Sequence, residues 1–223
     1  MLLLAALGIV VAGAVTAWLP STLLARQVAA ALQPHLVEGG TARVTARATA
    51  WGLAAGRVDR LTITATGVRL GELAAQRMTA HLEGVRAARD GRGWRVASVA
   101  AGQAECEVGA EALQQLLVSR GVERAQVAIA ADAVAASGEI RVGIALVPVR
   151  VRAQPYSTGR DLRFRILALD FGGVEVPPAL AETVLAAVQP AVALDGLPWS
   201  LHVTRVDTDA GVIRLVARVG GAP

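Results

Sequence analysis

No lysine occurs in this chain, so its 22 basic residues are all arginine. A GC-rich coding bias accounts for this better than selection for the bidentate chemistry of arginine, and it also explains the many alanines and glycines. Aromatic residues are scarce, at 3 % of a chain that is 54 % hydrophobic, so any core must be built from Val, Leu and Ala. That scarcity also removes the stacking platforms single-stranded nucleic acids need, and a net charge of +4 is too small and too dispersed for a nucleic-acid interface. The mild positive charge suits anionic lipid head groups instead. A single cysteine, Cys106, excludes an intramolecular disulfide. It alternates with Glu105 and Glu107 and shares a face with Ala104 and Val108, the setting of a buried, inert thiol.

Catalytic signatures are missing too. There is no G-x-S-x-G elbow, and Ser98, Ser119, Ser137 and Ser157 stand without a local signature. No phosphate-cradling loop or dinucleotide fingerprint appears, and the glycines fall singly at turns and bulges. His35, His81 and His202 lie far apart without ligand spacing, so neither a metal nor a cofactor is expected. His81 and His202 both fall on polar strand faces. Asp59, Glu83 and Asp170 are read as solvated charges at strand ends. The sequence displays no catalytic site, and an enzyme would need one assembled from distant residues.

What is present begins with a long apolar run. Leu2 to Leu19 carry no charge, and Thr16 is the one clearly polar side chain. Such a run spans about 27 Å as a helix, close to the roughly 30 Å of a bilayer core. Residues 1–20 are therefore expected to be a signal peptide or membrane anchor, and residues 21–223 one α+β domain. Cleavage after A-G-A at 12–14 or V-T-A at 15–17 competes with an uncleaved anchor. No basic residue precedes the run and Arg26 follows it, so charge asymmetry does not support export of the domain.

Beyond the run, Thr22 to Gln33 has the spacing of a short amphipathic helix, with Leu24, Val28 and Leu32 on one face. From Leu36 to Val108 the period turns to two. Arg43, Thr45 and Arg47 oppose Val44, Ala46 and Ala48, while Leu61, Ile63 and Ala65 alternate with polar residues. The phase shifts at Gly67 so that Val68 and Leu70 carry on, as a β-bulge would make it. Met78, Ala80 and Leu82 continue the pattern, and D-G-R-G at 90–93 turns the chain towards the Cys106 strand. Gly109 to Arg120 is a second helix, with Leu113, Leu116 and Leu117 as its stripe and Gly121 as its stop. More strands follow: Val127 to Ile129, a turn at Ser137–Gly138, then Ile140 to Leu146. A phase flip at Val147–Pro148 leads to Val149 and Val151, with Pro148 at an edge or bulge. A further turn is expected over 154–160.

The chain from Asp161 to Val219 is the most organised stretch. Leu162, Phe164 and Ile166 alternate with Arg163 and Arg165. V-E-V-P-P follows, and from Ala179 the apolar positions Leu180, Val184, Leu185 and Val188 take helical spacing over 179–189. L-D-G-L-P-W makes a corner. Trp199, Leu201 and Val203 then point one way, with Ser200, His202 and Thr204 the other, and D-T-D-A-G at 207–211 closes a hairpin.

This succession of a short strand, V-x-V-P-P-x-L, an apolar helix, L-x-G-L-P-W and a closing hairpin with A-G resembles the LmeA-type phospholipid-binding family of bacterial cell-envelope proteins. G-R-V-x-x-L-T-I-T-A-T-G-V at 56–68 extends the resemblance over most of the chain after residue 20. The resemblance implies an exported, membrane-associated α+β domain similar to tubular lipid-binding proteins. The expected fold is a long curled antiparallel sheet wrapped around one or two apolar helices.

Pattern alone favours a plain core over a groove; the resemblance reverses that preference. On it, the expectation is a membrane-associated envelope protein, on the extracytoplasmic side, that binds phospholipid acyl chains for transfer or envelope maintenance. Residues 2–19 would anchor it, unless it is exported after cleavage. Phe164, Ile166, Leu180, Val184, Leu185, Val188, Trp199 and Leu201 are the expected groove. Arg150, Arg152, Arg163 and Arg165, on the polar side of adjacent strands, are the expected head-group contacts or else a solvated, edge-protecting face. The alternative is a scaffold protein with a filled core that binds another protein and no lipid. Protein partners are not indicated.

Overall fold

The computed structural model describes residues 25–220 apart from 27, 31, 50, 53, 54, 91, 92, 160, 178–191 and 194–200. Among the described residues the strands form two antiparallel sheets. The first contains β1 (Leu36–Arg47), β2 (Arg57–Leu70), β3 (Leu73–Asp90), β4 (Gly93–Ser98) and β5 (Ala101–Gly109), and is completed by β12 (Leu201–Asp209) and β13 (Val212–Val219). Its order is β1-β2-β3-β5-β13-β12, with β4 continuing along the β3 edge used by β5. The second holds β6 (Glu123–Ile129), β7 (Val134–Val142), β8 (Ala145–Thr158), β9 (Asp161–Phe171), β10 (Val174–Val176) and β11 (Val192–Ala193). Its order is β10-β9-β8-β7-β6, with β11 also on β9. Neither sheet closes on itself.

The curl of the first sheet follows from a line of backbone irregularities. On β2 the buried residues Leu61, Ile63 and Ala65 give way to Val68 and Leu70, and on β3 Leu73 and Ala75 give way to Met78, Ala80 and Leu82. Thr66 pairs with Arg77 and Val68 with Ala75, so Gly67 and Gln76 drop out of the ladder at the same level. Both strands thus change pleat phase together and keep their register. On β1, Val37 to Gly40 bulge against the same point, between the Leu36↔Val68 and Thr41↔Thr66 pairs. Gly67 has φ +62, and a Cβ there would stand 2.7 Å from Val37 Cγ2. The bulge expected at Gly67 is one step of a kink that crosses three strands.

Helix α1 (Ala110–Ser119) links the sheets, running from β5 to β6. Its Ala112, Leu113 and Leu116 are buried, while Leu117 is half-buried. The end is a Schellman motif: Val122 N–H donates to Leu117 O and Gly121 N–H to Val118 O, each at 3.0 Å, with Gly121 at φ +86. Residues 25–26, 28–30 and 32 are helical, and Val28 and Leu32 of that segment join the main core as their spacing predicts. The core itself is the apolar face of the first sheet, covered by these helices and by Ile129, Val134 and Leu162 of the second.

Two sequence expectations differ from the structure. Ser137–Gly138 is not a turn but lies within β7, because Gly138 marks a close approach: a Cβ there would meet Val122 Cγ1 at 2.5 Å. The reversal comes instead at Gly143–Ile144, closed by the Val142↔Ala145 pair, so the strand expected over Ile140 to Leu146 is split between β7 and β8. The turn expected over 154–160 is shorter, since β8 runs to Thr158. Both prolines of β8 are accommodated where the strand has one neighbour. Pro148 pairs with Glu139 of β7 beyond the end of β9, and Pro155 with Phe164 of β9 beyond the start of β7.

The sheets meet along β12. Val203 N–H donates to Gly159 O at 2.8 Å, Gly211 N–H to Ile129 O at 3.0 Å, and the Thr208 hydroxyl to Ala131 O at 2.7 Å. The helix expected over 179–189, Trp199, and the anchor expected over 1–20 lie outside the described residues.

Candidate functional site

Alternation in β6 to β10 divides the second sheet into two unlike faces. Register places Val127 and Ala136, then Val149, Val151, Leu169 and Val176, on one apolar face. The pleat of β9 shifts at Leu167, opposite the Arg152/Ala153 step of β8, so Ile166 and Phe164 rejoin this face. Ile166 and Leu169 form a small cluster of their own, with Val149, Val151 and Val176 packed against it but only half-buried. This contrasts with the first sheet, where Ile63, Leu73, Met78, Ala80 and Leu82 are all at 0 % exposure. The first apolar face is sealed over its central strands and half-buried along β1; the second is half-covered along β8 and β10.

The expected groove residues are divided between these environments. Ile166 belongs to the half-covered cluster. Phe164 is half-buried but packs on the main core, and Leu201 is buried within that core. The structure therefore does not place Ile166 and Leu201 in one cluster. Leu180, Val184, Leu185, Val188 and Trp199 lie outside the described residues. Sequence reading left out Val149, Val151, Leu169 and Val176 as wall residues. The alternation of Val149 and Val151 was visible, whereas Leu169 was hidden by the phase change at Leu167.

The four expected head-group arginines share a face, as their spacing implies. Arg150 is paired in register with Asp170, Arg152 with Ala168, Arg165 with Gln154 and Arg163 with Tyr156. That face is opposite to the apolar one. Arg152 is held by Asp132 at 2.7 Å, Arg163 lies 3.6 Å from Asp161, and the Arg165 guanidinium sits 5.6 Å from the Tyr156 ring centre. A cleft of about 550 Å³ lies beside Arg150 and Arg152, over Ala128, Ala135, Ser137 and Ala168. Of β10 only Glu175 lines it, and Val174 and Val176 do not, so the cleft opens on the arginine face. A head group reaching these arginines from the apolar face must pass around a sheet edge.

Chemistry for bond-breaking does not converge. Among the described residues no group of three or more His, Cys, Asp or Glu is arranged to hold a metal ion. His81 and His202 are exposed on polar faces, with His81 Nδ1 3.3 Å from the Thr62 hydroxyl. Glu83 is taken up by Arg60 at 3.3 Å, Asp59 accepts from Thr49 N–H, and Asp170 accepts from Gly173 N–H. Cys106 is buried on the sealed face, where burial, helped by the charge of Glu105, pushes its thiol up to about 12. It is the opposite of an activated nucleophile.

Together these features define an open, mainly antiparallel α+β protein with one sealed core face and one half-covered apolar face. The chain belongs to the LmeA-like phospholipid-binding family, whose model matches residues 12–218. The members of that family are lipid binders rather than enzymes. No curated protein and no solved structure matches the chain. No helix among the described residues is long and apolar enough to cross a membrane.

Proposed function

We propose that this protein is a non-catalytic, membrane-associated component of the cell envelope that holds phospholipid acyl chains against the apolar face of its second sheet, for transfer or envelope maintenance. The observation that carries the reading is the contrast between the two apolar faces. Val149, Val151 and Val176 remain half-buried around Ile166 and Leu169, whereas β2, β3, β5 and β13 at the centre of the first sheet carry fully buried rows, and half-buried residues such as Val44 and Ala46 lie on its edge strand β1. An acyl chain laid on this wall gains about 0.8 kcal/mol per methylene removed from water. The helix expected at 179–189 supplies the facing wall through Leu180, Val184, Leu185 and Val188, with Phe164 and Trp199 towards the junction of the sheets. Arg150 and Arg152 meet the head group of a lipid that emerges over the sheet edge, and Arg163 and Arg165 extend that basic face. Residues 2–19 hold the domain at the extracytoplasmic side of the membrane, as an anchor or until cleavage.

The scaffold alternative rests on the sealed first sheet, which is a filled core. One pair of substitutions separates the readings. Ala80→Leu, in the dry face, overpacks and costs about 1–3 kcal/mol. Val151→Trp is expected to cost clearly less, because its ring occupies ligand space, and to lower the phospholipid extracted from purified protein and counted by mass spectrometry. Absence of phospholipid from the parent protein, with Val151→Trp as destabilising as Ala80→Leu, would make this face plain core.

A further inference from the structure

The β7–β8 hairpin ends in apolar side chains that the fold does not use. Gly143, at φ +63, and Ile144 form its two-residue turn. A turn with a positive φ at its first central position asks for glycine there and makes no demand for a large apolar residue at the second. Ile144 nevertheless occupies the second position, fully exposed at 101 %. Val142 and Leu146 are exposed beside it. Register puts Val142 on the apolar face and Leu146, opposite Arg141, on the arginine face, so the tip is apolar on both sides. From Ile140 to Val149 the one charged residue is Arg141. Exposed hairpin ends are usually kept polar or charged, which prevents association.

The tip lies at the end of the second sheet away from β12, since the contacts at Ile129, Ala131 and Gly159 are all at the other end. The apolar face leads to it without a break, through Val151, Val149 and Val147 on β8. We infer that this hairpin tip inserts into the surface of a phospholipid bilayer, putting the half-covered apolar face in continuity with the membrane interior. The occupant follows from the ligand class of the family, because phospholipid resides in bilayers. The position of Arg141 also fits. Level with Leu146, two residues from Ile144 at about 3.3 Å each, it stands roughly 7 Å behind the tip, at phosphate level once the apolar end is about 5–10 Å deep. Its ion pair with Glu123, at 2.6 Å, holds it at that level. In purpose, though not in geometry, the inference rests on the lipid-binding reading.

The test uses the full chain, carrying a polarity-sensitive fluorophore at Ile144→Cys or, as a control, at Thr64→Cys on the polar face of the first sheet. Cys106 is buried with its thiol pushed up to about 12, so the introduced cysteine is labelled selectively. On reconstitution with phosphatidylcholine vesicles the probe at 144 is expected to shift to the blue and to be quenched by brominated acyl chains. The probe at 64 is expected to do neither. The shift survives high salt, because apolar burial drives it, and loss in salt overturns the inference. Adding Val142→Asp lowers the inserted fraction roughly tenfold or more at an unchanged thermal midpoint. A silent probe at 144 in protein that retains phospholipid overturns the tip and leaves the lipid-binding reading standing. A responding probe in protein that retains none upholds the tip and overturns the groove. A shift that needs no vesicles and grows with protein concentration makes the tip a contact between copies, which also overturns the inference.

Discussion

Cys106 has Ala104 and Val108 beside it on one face of β5, and all three are buried. Burial, and secondarily the charge of Glu105, raises its thiol from the ordinary 9.0 to about 12. The unfolded chain releases that proton near the ordinary value and the folded chain only near the raised one. Between these limits the folded state binds more protons, so stability present below about pH 9 is lost as pH rises towards 12, by at most about 1.4 kcal/mol per unit. No lysine titrates in the same window. Thermal melts of the parent protein and Cys106→Ala across this range are expected to show a steeper decline in the parent. Equal slopes would remove Cys106 as the cause. The thiol's environment was legible in sequence, because alternation in a strand assigns every second residue to one face.

At the scale of the element, glycine has two meanings here, and sequence separates them only in part. Gly67 was recognisable as a bulge because the apolar phase changes around it. Gly138 reads as a turn residue in the sequence, because the close contact with Val122 that requires a glycine there comes from a neighbouring segment. The cost of a side chain at Gly67 tests the kink directly. Gly67→Ala combines a strained φ of +62 with a Cβ 2.7 Å from Val37 Cγ2 and 3.2 Å from Gly40 Cα. A loss of about 1–3 kcal/mol is expected in denaturant melts. Gly121→Ala, at φ +86 with nothing within 4 Å, is expected to lose about 1 kcal/mol. If Gly67→Ala is the milder of the two, the kink tolerates a side chain and does not depend on glycine.

At the scale of the whole molecule, a single apolar run is expected to hold the protein at the membrane. Deleting Met1 to Leu19 is expected to turn a protein that stays with membranes through repeated washing into a folded one that is released. The hairpin tip offers only a few apolar side chains and so weak, reversible contact. A truncated protein that remains in the membrane fraction after high-salt washing would show that another segment anchors it. Within the domain, β12 and the turn that follows it hold the two sheets together through Val203, Thr208 and Gly211, although their partners at Gly159, Ala131 and Ile129 lie far away in the chain.

The sequence by itself determined the strand faces, the stop of α1 at Gly121, the phase change at Gly67 and the family, since each depends on local period, turn stereochemistry or the order of segments. It placed Arg150, Arg152, Arg163 and Arg165 on one polar face for the same reason. Only the tertiary structure decided that this face lies opposite the apolar one, that Leu201 is core while Ile166 belongs to a separate cluster, and that the centre of the first sheet is sealed while β8 and β10 of the second are half-covered. Alternation says which residues point the same way. What covers them is set by segments distant in the chain, and burial is a property of that packing.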